Sequence, residues 1–416
     1  MPDKRVVVVG STADYNEIIH KQLGDRVLFL TDIHESLQWD GYKPPLKDEC
    51  LTDLTDTELS LRNLKDHMTL HKIKISGVAC FDCESLPMAS AVADALCLPF
   101  PSSASIDLCR SKSKSHKIWE DTGVLCPRTR TASSLSDIDA ALSGTGFPAV
   151  LKPATGSGSE LVFLVNSADE AQEKFRFIEE KLAMHHNTRM YGTTDCTLEE
   201  YIDGTEYSCD WILKDGQAET IRFSRKIHDH SLSFGTTSAY VVPGERDTEL
   251  NTDDVKTALI KGAQALGFSD MIAMTDMMVK DGRIYLLEMT PRIGGDCLPW
   301  LIEESSGLNM FRLAVNHAVR KMPNIPAADK WTVKCAVRII ADRSGIFDHV
   351  EIDEDSRITK TLIDRKSGHE IILPPENYDS RILGFVIFTP DSSDTLKNQA
   401  ESVRRSVRII YQNDLR

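Results

Sequence analysis

The chain has 416 residues, too many for one ordinary core, so two or three lobes of roughly 100 to 200 residues are expected. Apolar residues make up 41% and charged residues 27% with no low-complexity tract, which excludes a disordered chain. A formal charge of -15 argues against nucleic acid as a partner and leaves any phosphate to a local cationic site.

A charged start runs into Val6, Val7, Val8 and Val9, which reads as a buried strand rather than a leader. No apolar run reaches 18 residues, so no membrane partner is expected, and the ten cysteines read as reduced thiols of a cytoplasmic protein. Cys80 and Cys83 form a CxxC without a second ligand pair at similar spacing, so structural thiols are expected there. The turn Gly10-Ser11, a polar helix ending near Gly24, strands at 27–30 and 77–81 and a helix at 86–96 predict a parallel α/β lobe over residues 1–108. No GxGxxG follows the first strand, which points to a scaffold or substrate lobe rather than a dinucleotide site.

Pro99, Pro101 and the serines at 102, 103 and 105 mark a boundary, and residues 111–123 read as a lysine-bearing helix. An apolar strand at 147–152 ends in Lys152, a loop of small residues follows to Ser159, and residues 161–165 return as a strand. Ser167 and Glu170 make a capping box for a helix whose Ala171, Phe175, Ile178 and Leu182 keep helical spacing. Two strands, a glycine loop and a helix make a lid-like unit. A second α/β unit spans residues 197–242, with strands at 198–202 and 207–213. A helix at 251–267 precedes a hairpin of strands 272–279 and 284–289, and another helix lies near 309–320. From Trp331 the chain is strand-rich, with turns at Ser344-Gly345 and Ser367-Gly368. The expected division is an α/β lobe at 1–108, a central two-part region at 109–330 with a lid at about 125–200, and a small α+β domain at 331–416.

Three groups of residues carry chemistry. Lys152 with Thr155, Gly156, Ser157, Gly158 and Ser159 could set a fixed cation beside backbone N–H groups for phosphate, although such loops often serve only as turns. The lysine precedes the glycines, so this is not a Walker A loop. Glu199, Glu200, Tyr201, Ile202, Gly204 and Glu206 lie at the edge of an apolar strand, where backbone groups and carboxylates suit a purine and a ribose diol; solvated edge glutamates are the alternative. The third group is Asp276 and Glu288 on the two arms of the hairpin.

A two-residue Asp281-Gly282 turn would pair Asp276 with Leu287 and put the acids on opposite faces. A three-residue loop of Lys280, Asp281 and Gly282 pairs Val279 with Arg283 and brings both acids to one face as diagonal neighbours about 7 to 8 Å apart, and this is the expected form. Two acids facing one way from apolar strands are costly unless a cation compensates them, which predicts magnesium. Arg292, Gly294, Gly295 and Asp296 follow, a cation and exposed amides suited to a phosphoryl group and an oxyanion. Arg225 and Lys226 either face a terminal phosphate or form a solvated basic turn. His185, His186, His228 and His230 show no ligand spacing and are expected at the surface.

In this order the segments FPAVLKPATGSGS (147–159), LEEYIDGTEYS (198–208) and TDMMVKDGRIYLLEMTPRIGGD (275–296) resemble the ATP-grasp superfamily, in particular its carboxylate-amine and amino-acid ligases of biotin carboxylase-like architecture. The resemblance covers nearly the whole chain. It implies the ATP-grasp fold, with ATP and magnesium, or manganese in its place, as cofactors. It assigns Lys152 to the α and β phosphates, the 153–159 loop to closure over the triphosphate, Glu199 and the backbone of Glu200, Tyr201 and Ile202 to adenine, and Glu206 to ribose. An earlier nucleotide-binding lysine falls on SKSKSHKIWEDTGVLCP, where Lys112 matches best by its distance to Gly123, with Lys114 and Lys117 as alternatives. Asp276 and Glu288 match the metal acids, but Thr290 stands where the family usually has an asparagine ligand, a weaker donor to a second ion. Arg292 matches the arginine that stabilises phosphate and intermediate, with Gly294, Gly295 and Asp296 approaching the activated substrate.

The activity implied is ligation of a small acid, such as an amino acid, to an amine through an acyl phosphate, with release of ADP and phosphate. A homodimer is compatible with the architecture. A small-molecule kinase, an ATP-dependent carboxylase and a silent nucleotide-binding protein are the alternatives.

Overall fold

The computed structural model describes residues 3–39, 41–155, 160–184, 195–229, 231–244, 250–321 and 324–415. Consecutive residues of a strand face opposite ways, and the first strand, β1 (Asp3–Val9), is apolar on both sides. Val7 and Val9 pack with Leu28 and Leu30 in one core, while Val6 and Val8 pack with Val27 and Phe29 in another. A strand buried on both faces belongs in a parallel sheet covered by helices. β1 accordingly joins β2 (Val27–Asp32), β3 (Glu49–Thr52) and β4 (Ile73–Cys80) in the order β3-β2-β1-β4, all parallel. Helices Ala13–Leu23, Ile33–Gln38 and Thr57–His71 connect these strands, the last capped by the Asp56 carboxylate accepting from Leu59 N, and helix Leu86–Leu96 follows β4. This is the expected parallel lobe, with β3 and the Thr57–His71 helix in addition.

A four-stranded antiparallel sheet follows, from β5 (Thr129–Ala132), β6 (Ala149–Pro153), β7 (Phe163–Val165) and β8 (Cys196–Glu200) in the order β5-β8-β6-β7. Helix Ala168–Met184 lies over it with Ala171, Phe175, Ile178 and Leu182 buried, the face its spacing predicts. Glu170 N bonds Ser167 Oγ as a capping box requires, but the Glu170 carboxylate reaches back to Asn166 N rather than to Ser167.

The central sheet contains β9 (Thr205–Lys214), β10 (Gln217–His228), β11 (Thr237–Val242), β12 (Met271–Lys280), β13 (Arg283–Thr290) and β14 (Lys334–Ile340). Of the later strands β15 (Gly345–Ile352), β16 (Ile358–Ile363), β17 (Glu370–Ile371), β18 (Ile382–Phe388) and β19 (Val407–Tyr411), two extend it, giving the order β13-β12-β9-β10-β11-β14-β18-β16. β17, β15 and β19 form a separate three-stranded sheet under helix Leu396–Arg405. The 197–242 stretch is therefore antiparallel strands of two sheets rather than an α/β unit. Among the described residues no helix is long and apolar enough to cross a membrane.

Candidate active site

The β12-β13 ribbon sets the geometry of the site. Asp281 and Gly282 have φ of 50° and 70°, the left-handed pair that a two-residue hairpin turn uses, and Lys280 pairs with Arg283. The three-residue loop expected from the sequence does not form. Uninterrupted, this ladder would put the two acids on opposite faces, but a bulge at Leu287 inserts one extra residue into β13. Asp276 then lies directly opposite Glu288, about 4.5 to 5.5 Å apart at the backbone, so the acids share a face by a device other than the one expected. His116, buried in helix Lys112–Asp121, fixes the bulge by donating from Nε2 to Leu287 O at 2.7 Å, with Nδ1 2.6 Å from Thr129 Oγ1. Burial lowers the His116 pKa, with Glu199 opposing it.

Around the two acids the charges are paired and desolvated. Lys226 Nζ donates to Asp276 Oδ2 at 2.7 Å and to Glu206 Oε1 at 2.6 Å, and His228 Nε2 lies 2.9 Å from Glu206 Oε2. Burial raises the Asp276 pKa, with Glu288 and Glu206 adding to it against Lys226. Glu288 is also raised by burial, but Lys112, Lys226, Lys152 and Arg292 outweigh it and hold the carboxyl below its ordinary value. Burial disfavours charge on Lys226, yet Asp276 and Glu206 keep its pKa well above normal. Arg225 and Lys226 are therefore residues of strand β10 lining a cleft, not a solvated turn. His228 is a cleft residue as well, because the alternation of β10 turns it to the same side as Lys226. His185, His186 and His230 lie outside the described residues.

Across the cleft Lys152 Nζ closes on Glu199 Oε2 at 2.7 Å, both nearly buried, and His116 Nδ1 stands 3.8 Å from Glu199 Oε1. The Glu199 carboxylate is thereby held to the lysine, and Lys152 with His116 overcomes the upward effect of burial on its pKa. Glu200 pairs with Arg128 at 2.9 Å, and the amides of Glu200 and Tyr201 donate to the carbonyls of Arg128 and Pro148. Tyr201, Ile202 and Thr155 line the same cleft; Gly156, Ser157, Gly158 and Ser159 lie outside the described residues. Of the three lysines left open by the sequence, Lys112 faces the site with Nζ 3.6 Å from Glu288, while Lys114 and Lys117 pair with Asp107 and Asp121 at the surface. Ser111 caps this helix by accepting from Lys114 N, which places Lys112 at its first position.

At the other end Arg292 donates from Nε and Nη2 to Cys83 Sγ at 3.3 and 3.0 Å, and from Nη1 to Ile293 O. Cys80 and Cys83 are free thiols as expected, and Cys83 meets the site through this contact. Gly294 departs from its expected role at an oxyanion. Its N–H donates to Asp210 Oδ1 at 2.6 Å, and Asp210 Oδ2 pairs with Arg222 Nε at 2.6 Å where both side chains are wholly buried. The amide is spent inside the protein, and a Cβ at Gly294 would sit 2.6 Å from Arg222 Nη2, so only glycine fits. Gly295 and Asp296 do line the cleft. The Asp296 carboxylate is held by Arg338, Nε at 2.7 Å and Nη2 at 2.5 Å, so it is a paired group rather than an open acceptor.

Lys112, Lys152, Glu206, Asp276, Glu288 and Arg292 line one cleft of about 1480 Å³. Among the described residues no three His, Cys, Asp or Glu side chains converge as a metal cage. Asp276 Oδ1 is nevertheless buried without a hydrogen-bond partner, opposite Glu288 and beside Thr290. Two carboxylates and an orphaned oxygen fit an ion that takes its remaining oxygens from water and phosphate, as magnesium does. His116, Asp210, Arg222 and Arg338 escaped the sequence reading, and His228 was expected at the surface. Only Asp210 left a trace there, as a charged residue just before the apolar run Trp211, Ile212 and Leu213.

Residues 145–300 match the ATP-grasp domain family. The D-alanine–D-alanine ligase of Cupriavidus necator is 26% identical over 207 residues, 48% of this chain and 59% of that protein. The chain spans about half the length of the curated relatives it matches. An L-amino acid ligase from Bacillus licheniformis superposes with a TM-score of 0.76 at 20% identity, covering 99% of this chain and 100% of that one. A biotin carboxylase domain of 2-oxoglutarate carboxylase from Hydrogenobacter thermophilus, solved with MgADP and bicarbonate, superposes with a TM-score of 0.67 at 15% identity over 98% and 90% of the two chains.

Proposed function

We propose that this chain, an ATP-grasp protein, is an ATP-dependent ligase that joins the carboxylate of a small acid, of the amino-acid kind, to an amine through an acyl phosphate. The observation that carries the reading is the bulged ribbon, which turns Asp276 and Glu288 to the same face of a cleft that Lys112, Lys152 and Arg292 also enter. Acids and cations alternating around one cleft suit a triphosphate with its metal, and they leave Arg292 for the charge that develops on the transferred group.

Asp276, Glu288 and, more weakly, Thr290 would hold magnesium, which supplies charge neutralisation at the bridging phosphate oxygens. Lys152, across the cleft beside Thr155, and Lys112, next to Glu288, neutralise the phosphates. The Tyr201 and Ile202 stretch meets adenine, and Glu206, held by Lys226 and His228, faces the ribose. Arg292, whose charge burial opposes but Cys83, Glu288 and Tyr15 favour, meets the acyl phosphate, and the Gly295 amide rather than that of Gly294 assists at the tetrahedral oxyanion. Arg225 and Lys226 stand near the terminal phosphate and Asp296 near the activated acid.

Hydroxylamine trapping tests the whole sequence of steps. Full-length protein with MgATP, a panel of amino acids and hydroxylamine should yield a hydroxamate with stoichiometric phosphate, and Glu288→Ala should lower that yield by about 100-fold or more. ADP formation with neither hydroxamate nor free phosphate would move the assignment to a kinase, and bicarbonate-dependent phosphate release without hydroxamate would move it to a carboxylase. MgATP binding without turnover would leave a nucleotide-binding protein. Full activity of Glu288→Ala would remove the metal assignment.

A further inference from the structure

We propose that Arg381 is the recognition group for an oxyanion, a carboxylate or phosphate, carried by the substrate partner that is not activated. Arg381 lies just before β18, only 6% exposed, and lines the same cleft as Arg292 and Arg338. Its Nη2 donates to Ser233 Oγ at 2.8 Å and Thr236 Oγ1 at 3.0 Å, two hydroxyls that orient the guanidinium and bring no charge. Nε is buried without an acceptor. Among the described residues no carboxylate pairs with it, whereas Arg338 has Asp296, Lys226 has Asp276 and Glu206, and Lys152 has Glu199.

A buried cation without a counter-charge is costly, and a fold removes it readily by mutation unless a ligand supplies the missing charge. Burial lowers the Arg381 pKa, with Tyr378 opposing and Arg338 adding to the effect. Arg338, the nearby guanidinium, has its own acid in Asp296, and among the described residues no carboxylate is left paired with Arg381. The planar fork of an arginine fits a carboxylate or phosphate, and hydroxyl-fixed geometry confers selectivity for one orientation. The inference deepens the ligase reading, on which it rests for calling the ligand a substrate: it makes one reactant anionic at a point away from the reacting carboxyl.

Calorimetric titration of the full chain separates the two ideas. MgADP binding is measured first, then succinate, L-alanine and inorganic phosphate are titrated separately into the MgADP-loaded protein, with succinamide as the neutral control. The expected result is saturable binding of at least one anion and none of succinamide. That binding should weaken more than about tenfold in Arg381→Gln and be partly restored in Arg381→Lys, with MgADP affinity unchanged. Which anion binds distinguishes carboxylate from phosphate. Equal anion affinity in Arg381→Gln, or no saturable binding by any of the three, overturns the proposal. Should Arg381→Gln fail to fold, Ser233→Ala/Thr236→Val takes its place, and unchanged anion binding there overturns it equally. Failure of the wild-type protein to bind MgADP counts against the proposed function alone.

Discussion

Replacing Asp210 with asparagine tests whether the buried ion pair beneath the Arg292 turn is as important as its geometry implies. Asp210 accepts from Arg222 Nε and from Gly294 N, both at 2.6 Å, and neither Asp210 nor Arg222 has any exposed side-chain surface. Asparagine can still accept from Gly294 N, and Arg222 keeps its bonds to Ser208 O and Ser208 Oγ. What disappears is the negative charge beside a guanidinium that cannot reach water. Removing one partner of such a pair costs about 3 to 5 kcal/mol, and the retained hydrogen bonds place this variant near the lower end. Urea unfolding followed by tryptophan fluorescence reports it, because Trp211, next to Asp210 along β9, is wholly buried in the folded protein. With a slope of about 1 to 3 kcal/mol per molar urea, the midpoint should fall by about 1 to 3 M. Adding Arg222→Met removes the stranded charge and should restore more than half of the loss. An Asp210→Asn effect below about 0.5 kcal/mol, the size of an ordinary surface change, would refute the reasoning, as would a double variant no more stable than the single one.

Gly294→Ala forces a Cβ to within 2.6 Å of Arg222 Nη2 and 2.9 Å of Leu298 Cδ1, so a loss of about 1 to 3 kcal/mol by thermal or urea unfolding is expected. Lys112→Ala should weaken MgATP binding about 10- to 100-fold, whereas Lys114→Ala and Lys117→Ala, which remove only surface pairs, should each change it less than about twofold by calorimetry. Glu49 is buried on β3 with its pKa raised by desolvation, Thr31 partly opposing. The folded protein therefore holds this proton more tightly than the unfolded chain, and stability present at low pH is lost as pH rises through the folded pKa. Glu49→Gln should accordingly be more stabilising, relative to wild type, at pH 7.5 than at pH 4.5; a gap that stays constant across that range would disprove the assignment.

The periodic features were legible because each depends on neighbours close along the chain. The parallel lobe follows from Val6 to Val9 and the helices after it, and the capping serine and apolar stripe of the Ala168–Met184 helix carry their own signals. The acids Asp276 and Glu288, Lys152 and the turn around Arg292 were likewise marked by a charge placed among apolar or small residues. Tertiary structure decided the rest. A β-bulge leaves no mark in a two-residue periodicity, so how Asp276 comes to face Glu288 depended on Leu287 being held by His116, 171 residues away. The sequence favoured Lys112 over Lys114 and Lys117 only by its distance to Gly123, and packing of the helix against β13 is what sets Lys112 beside Glu288 and leaves the other two in surface pairs. Gly294 read as a free amide until Asp210, 84 residues earlier, was brought beneath it. Composition and spacing determined which residue types this protein has available for a nucleotide and a metal. Which charges are matched, and that Arg381 is not, is settled by long-range packing, because a counter-charge acts through space and its partner can come from anywhere in the chain.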